Sequence, residues 1–211
     1  MDNLDLIADR IRQQMEAVSA ARDTAYQQSR ELVSLCSRTI RAIHREEWDH
    51  AQTLLQQTRH AAHTLVAGIS AYPDLYHAGY TQDALKEYVE AHLTYALVRD
   101  QTLPTPEELD TEYSTWLNGL AEAATELRRR ILDIIRLGHS AEAERLLDVM
   151  DSIYSVLVTF DFNDSVTGGL RRRTDTVRSV LERTRGDLTT SFRQAELQAA
   201  LEALERRMSD G

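Results

Sequence analysis

Apolar residues recur three and four positions apart along most of this chain, which predicts about seven helices and no convincing strand. The first helix is expected from Leu4 to Glu46, with Leu32, Cys36, Ile40 and Ile43 on one face. A second is expected from Trp48 to Tyr72, with Leu54, Leu55, Leu65 and Ile69 turned inward. Pro73 ends it, because proline disfavours helix in the residue before it. Gly79 precedes a third helix, Thr81 to Val98, with Thr81 as its cap. Gln101 to Pro106 reads as a loop. Thr105-Pro-Glu-Glu carries a helix-start signature, predicting a fourth helix from Pro106 to Leu137 that stops at Gly138. Ser140 is the expected cap of a fifth, ending near Thr159, with Met150, Tyr154, Val156 and Leu157 as core. Residues 161–169 form a hinge before a helix whose seam is Leu170, Val177, Leu181 and Leu188. Gly186 is expected to bend or interrupt that helix, and a last amphipathic helix runs to about Met208. No linker divides the chain, so a single all-α domain over 1–211 is expected.

Charge sharpens this picture. The 211 residues carry a formal net charge of -10, yet the segment from Val166 to Leu188 holds six arginines against three acids. A basic island in an acidic protein is suited to presenting arginine to an anion. Hydrophobic content of 42% is enough for a core. No apolar run reaches bilayer length, so no membrane partner is expected. The first residues lack the basic and apolar regions of a signal peptide, which makes a cytoplasmic location the expectation. The single Cys36, among Leu32, Leu35 and Ile40, reads as a buried apolar thiol.

Two acidic pairs carry candidate chemistry. Glu87 and Glu90 are three apart on one helix, and Glu122 and Glu126 are four apart on another, so each pair shares a helical face. Four carboxylates from two packed helices would suit a hard cation, Mg²⁺ or Mn²⁺. Acids at these spacings also occur on solvated faces, and spacing alone leaves that reading open. Trp116, Leu117 and Leu120 precede the second pair and argue for partial burial. A carboxylate-bridged di-iron site would need Glu-x-x-His, and neither pair has the histidine. Arg171, Arg178 and Arg185 repeat every seven residues as one stripe, and Arg38, Arg41 and Arg45 form a second beside His44. Arginine suits phosphate and base recognition, while salt bridges to the abundant acids compete with that role.

Several of these segments resemble a known family. Ser29-Arg-Glu-Leu-Val-Ser-Leu and Arg38-Thr-Ile-Arg-Ala-Ile-His-Arg45 resemble the first helix of the translin superfamily. Leu85-Lys-Glu-Tyr-Val-Glu-Ala91 and Trp116-Leu-Asn-Gly-Leu-Ala-Glu-Ala-Ala-Thr-Glu-Leu-Arg128 resemble the two acidic helices of translin-associated factor X. The stretch from Phe160 to Leu188 is similar to prokaryotic, archaeal-type members. The resemblance covers nearly the whole chain. It implies a seven-helix bundle and a hollow homo-oligomer, roughly an octamer, that encloses single-stranded RNA or single-stranded DNA. The factor X branch implies Mg²⁺-dependent endoribonuclease activity on single-stranded RNA. The translin branch implies binding without cleavage. By position, Glu87, Glu90 and Glu126 fall on the family's acidic set, and Glu122 stands where the animal enzymes carry aspartate. The resemblance makes all four candidate metal ligands and catalytic groups, and the arginine stripes candidate nucleic-acid contacts.

Overall fold

The structure, a computed structural model, describes residues 2–138 and 141–209. Among these residues every regular element is a helix: α1 (Asp2–His44), α2 (Trp48–Gly68), α3 (Pro73–Tyr76), α4 (Gly79–Val98), α5 (Tyr113–Ile135), α6 (Ala141–Leu157), α7 (Asp164–Thr167) and α8 (Leu170–Ser209). None is long and apolar enough to cross a membrane.

The all-α expectation holds, with corrections at the punctuation. Thr81 does not cap α4, which begins two residues earlier. It is buried inside the helix, and its hydroxyl donates to the Leu75 carbonyl at 2.7 Å. Thr105-Pro-Glu-Glu does not start a helix, and α5 begins only at Tyr113. Tertiary contacts override the local signature. Leu109 is buried, Arg59 donates to the Glu108 carbonyl at 3.0 Å, and the Trp116 indole donates to the Pro104 carbonyl at 3.0 Å. Asp110, at φ 51, turns the chain before α5.

Gly186 neither bends nor ends its helix, and α8 runs unbroken for 40 residues. One glycine costs a helix only about 1 kcal/mol, and the buried Thr184 and Leu188 hold both sides of it in place. The basic and final helices of the sequence reading are therefore one. The 161–169 hinge contains a single turn, α7, whose Asn163 side chain accepts from the Ser165 amide and whose end is the left-handed Gly168, φ 62. Val156 is exposed and does not belong to the core, whereas Met150 and Leu157 do. The expected Ser140 cap lies outside the described residues.

The chain divides into two compact units. The first runs through His92 and includes Glu107–Thr111. In it α1 packs on α2, burying Leu32, Cys36, Ile40 and Ile43 on one side and Leu54, Leu55, Leu65 and Ile69 on the other. These are the faces that the spacing predicts. The second unit comprises Leu93–Pro106 and the chain from Glu112 onward. Here α8 packs on both α5 and α6. Its buried seam is Leu170, Thr174, Val177, Leu181, Thr184 and Leu188, steps of four and three that keep one face inward. Two threonines complete this seam because each hydroxyl is satisfied by the carbonyl four residues back. Arg145 of α6 donates to the Leu97 and Val98 carbonyls and pairs with Asp100, covering the open C-terminal end of α4.

Candidate metal centre and basic faces

The α4 sequence is enclosed almost all round: Leu85, Tyr88, Val89, Ala91 and Leu93 are at most 1% exposed. Two charged residues are buried with them, Lys86 and Glu90 at 8% and 7%. A charge so enclosed is costly unless compensated, and Glu90 thus stands out from the solvated glutamates of the chain. Glu87, one turn back, is partly buried and accepts an ion pair from Lys86 Nζ at 3.3 Å.

On α5, Glu122 is half-buried beside the core residues Leu120, Ala121 and Ala123. Glu126, also half-buried, lies four residues further along α5 and so shares a helical face with Glu122. Mg²⁺ holds oxygen at about 2.1 Å in an octahedron, which sets neighbouring donors about 3 Å apart and opposite donors about 4 Å apart. Anionic oxygens are the donors that Mg²⁺ or Mn²⁺ prefers. These glutamates can coordinate a divalent cation.

The neighbours of the acids on α4 are not acid–base groups in waiting. Burial pushes the Tyr88 phenol up to about 12. It pulls the His92 imidazole down to about 4, with the charge of Arg59 acting in the same direction. His92 Nε2 lies 3.3 Å from Thr58 Oγ1, and its ring packs edge-on against Tyr88. Cys36 is fully buried. Burial, reinforced by the fields of Glu87 and Glu90, holds its thiol far above the ordinary range, as an inert core thiol requires.

The arginines separate into distinct settings. Arg38, Arg41 and Arg45 are exposed on α1 and, with His50 and Glu47, line a hollow of about 210 Å³. Arg171 and Arg178 are exposed on α8. Arg185 forms an ion pair with Asp151 of α6 at 2.6 Å. Each member of that stripe follows a seam residue by one position, which puts all three on the same flank of α8.

Arg173 precedes the seam residue Thr174 and lies on the opposite flank, and it was not among the residues that spacing singles out. Its Nε donates to Glu122 Oε1 at 2.9 Å, and its terminal nitrogen donates to Asn118 Oδ1 at 3.1 Å and to the Gly168 carbonyl at 3.2 Å. Asp187, which likewise precedes a seam residue, pairs with Arg128 of α5 at 2.7 Å. That flank of α8 therefore faces α5, and the stripe flank faces α6 at Arg185. The signal available in the sequence was position relative to the seam, one residue before it rather than after.

An all-α fold with acidic pairs on α4 and α5, donors suited to a hard divalent cation, defines the class of protein. No family model matches the chain. It is 30% identical over 192 residues to the uncharacterized protein MJ0175 of Methanocaldococcus jannaschii, a match that spans 90% of this chain and 85% of that protein. The crystal structure of AfC3PO aligns with a TM-score of 0.82 at 30% identity, over 90% of this chain and 98% of that one. AfC3PO in a complex with duplex RNA aligns at 0.77 and 31% identity, over 90% and 97%. Apo-NeC3PO, at 21% identity and 0.79 over 87% and 96%, shares the fold. The chain belongs to the translin superfamily, as an archaeal-type relative of the C3PO proteins.

Proposed function

We propose that this protein is a metal-dependent endoribonuclease that binds and cleaves single-stranded RNA within a homo-oligomeric particle, an octamer, in the cytoplasm. The observation that carries the reading is the buried Glu90 of α4, with Glu87 one turn away, in a chain of C3PO type. A divalent cation, when bound, supplies water activation and charge stabilisation on the phosphodiester. The chain's own residues do the rest. Glu87, Glu90 and Glu122 hold the cation, and Glu126, one turn from Glu122, serves as a fourth acidic group that orients water. Arg38, Arg41 and Arg45 on α1, and Arg171, Arg178 and Arg185 on α8, contact the RNA backbone, with Arg185 exchanging Asp151 for phosphate. The duplex RNA carried by AfC3PO supports an RNA partner. Oligomerisation draws support from α1, where Leu4, Ile7, Ile11 and Met15 form an apolar stripe that is 61%, 44%, 54% and 67% exposed. Residues 1–211 act together as one translin-like domain.

The test is incubation of the purified protein with labelled single-stranded RNA, with Mg²⁺ and with a chelator. Cleavage that requires the metal and is lost in Glu90→Ala supports the reading. Cleavage at the wild-type rate by Glu90→Ala refutes it. The second reading is a holder of single-stranded RNA or single-stranded DNA without chemistry, and it is favoured by Lys86, whose ammonium already lies 3.3 Å from the Glu87 carboxylate. It predicts salt-sensitive binding with no products under any metal condition.

A further inference from the structure

We propose that Arg173 is a positioning residue for the metal centre, fixing the rotamer of Glu122 so that its carboxylate is presented to the cation; this rests on the metal-dependent reading above. Glutamate has three rotatable side-chain bonds, and a half-buried Glu122 without a fixed partner would sample several orientations. Arg173 restricts that freedom. Its Nε engages Glu122 Oε1, while its other nitrogen is itself held between Asn118 Oδ1 and the Gly168 carbonyl. The planar guanidinium fixes the angle between those contacts, which a flexible ammonium cannot do.

The support extends one step further. Asn118 is buried, and its amide nitrogen donates to the Ser114 and Thr167 carbonyls, each at 2.7 Å. The two carbonyls at the end of α7, Thr167 and Gly168, thus anchor Asn118 and Arg173, and these in turn set Glu122. Gly168 is left-handed, and a Cβ there would meet the Asn118 amide nitrogen at 3.4 Å. The turn that ends α7 is therefore part of what aims the ligand. A carboxylate has about four acceptor sites, so the Nε contact to one oxygen does not by itself exclude a cation. The alternative is that Arg173 acts as a resident cation that must be displaced. Its three acceptors argue against this, because only one of them is a carboxylate.

The two alternatives predict opposite signs. Mn²⁺ binding to the purified apoprotein, followed by electron paramagnetic resonance and calorimetry, reads the affinity without reference to cleavage. Loss of a residue that orients a metal ligand weakens metal binding about 10- to 100-fold, and Arg173→Gln is expected to fall in that range. Arg173→Lys keeps the charge and guards against misfolding; it should stay several-fold weaker than wild type, because it cannot hold all three acceptors. Arg172→Gln, on the neighbouring exposed position, should bind as wild type does. Equal or tighter Mn²⁺ binding by Arg173→Gln, or full rescue by Arg173→Lys, overturns the proposal. If the wild-type protein binds no Mn²⁺ at all, the metal reading itself fails and takes this one with it.

Discussion

Helices α4 and α8 both carry charge at helical spacing, yet they treat it in opposite ways. In α4 the charged groups are sunk among apolar side chains, with Lys86 and Glu90 both buried. In α8 the seam is narrow, the arginines of one flank are exposed, Arg185 pairing there with Asp151, and Arg173 on the other flank turns to the half-buried Glu122. An enclosed charge has few positions open to it and strong interactions with whatever lies near, so its geometry is fixed. An exposed charge is screened and interchangeable with its neighbours. Positioned chemistry is expected from α4 and diffuse attraction from α8 and the outer face of α1. Arg173 belongs with the first kind despite its place on the second helix.

That contrast can be broken by experiment. The largest effect is expected at Glu90: Glu90→Gln should lower the cleavage rate at least about 100-fold, in line with loss of several kcal/mol of metal-dependent stabilisation, and leave RNA affinity within about twofold. A change in affinity with the rate preserved would erase the distinction between the two helices. Next is the core that carries Glu122. Leu127→Ala on α5, at a fully buried position, should cost about 3 kcal/mol in urea unfolding, against a change within about 0.5 kcal/mol for Arg178→Ala at an exposed one.

The basic face of α1 should act through number. Replacing Arg38, Arg41 and Arg45 together by Ala should flatten the slope of log affinity against log salt by about two, at about 0.7 per phosphate contact on a single strand. The melting temperature should hardly move. An unchanged slope would place the RNA elsewhere. The smallest effect is structural. At Gly186 a Cβ would meet nothing within 4 Å, so Gly186→Ala should stabilise the protein by up to about 1 kcal/mol. A loss of stability would mean that the helix needs a glycine there for a contact outside this chain.

Several features were legible from residue order. The inward faces of α1 and α2, the seam of α8 and the pairing of acids on α4 and α5 all follow from helical periodicity, which acts over one or two turns and depends only on neighbours in the chain. Pro73 does not end α2, which stops at Gly68, and instead opens α3. The resemblance to translin rests on the same local segments. Where prediction failed, distant contacts outweighed local preference. The start signature at Thr105 loses to Leu109 burial and to the bonds made by Arg59 and Trp116, and Gly186 stays helical because both its sides are packed.

Residue order alone determined a helical protein with acidic pairs on two faces and arginines beside a seam. Only the tertiary structure decided that Glu90 is buried with Lys86 while Glu87 is only partly so, and that Arg173 rather than Arg171 or Arg178 reaches Glu122. Spacing fixes a side chain's direction around its own helix axis. Which neighbour it meets depends on how helices distant in sequence pack against one another, and that is settled by the shape and burial of the whole core.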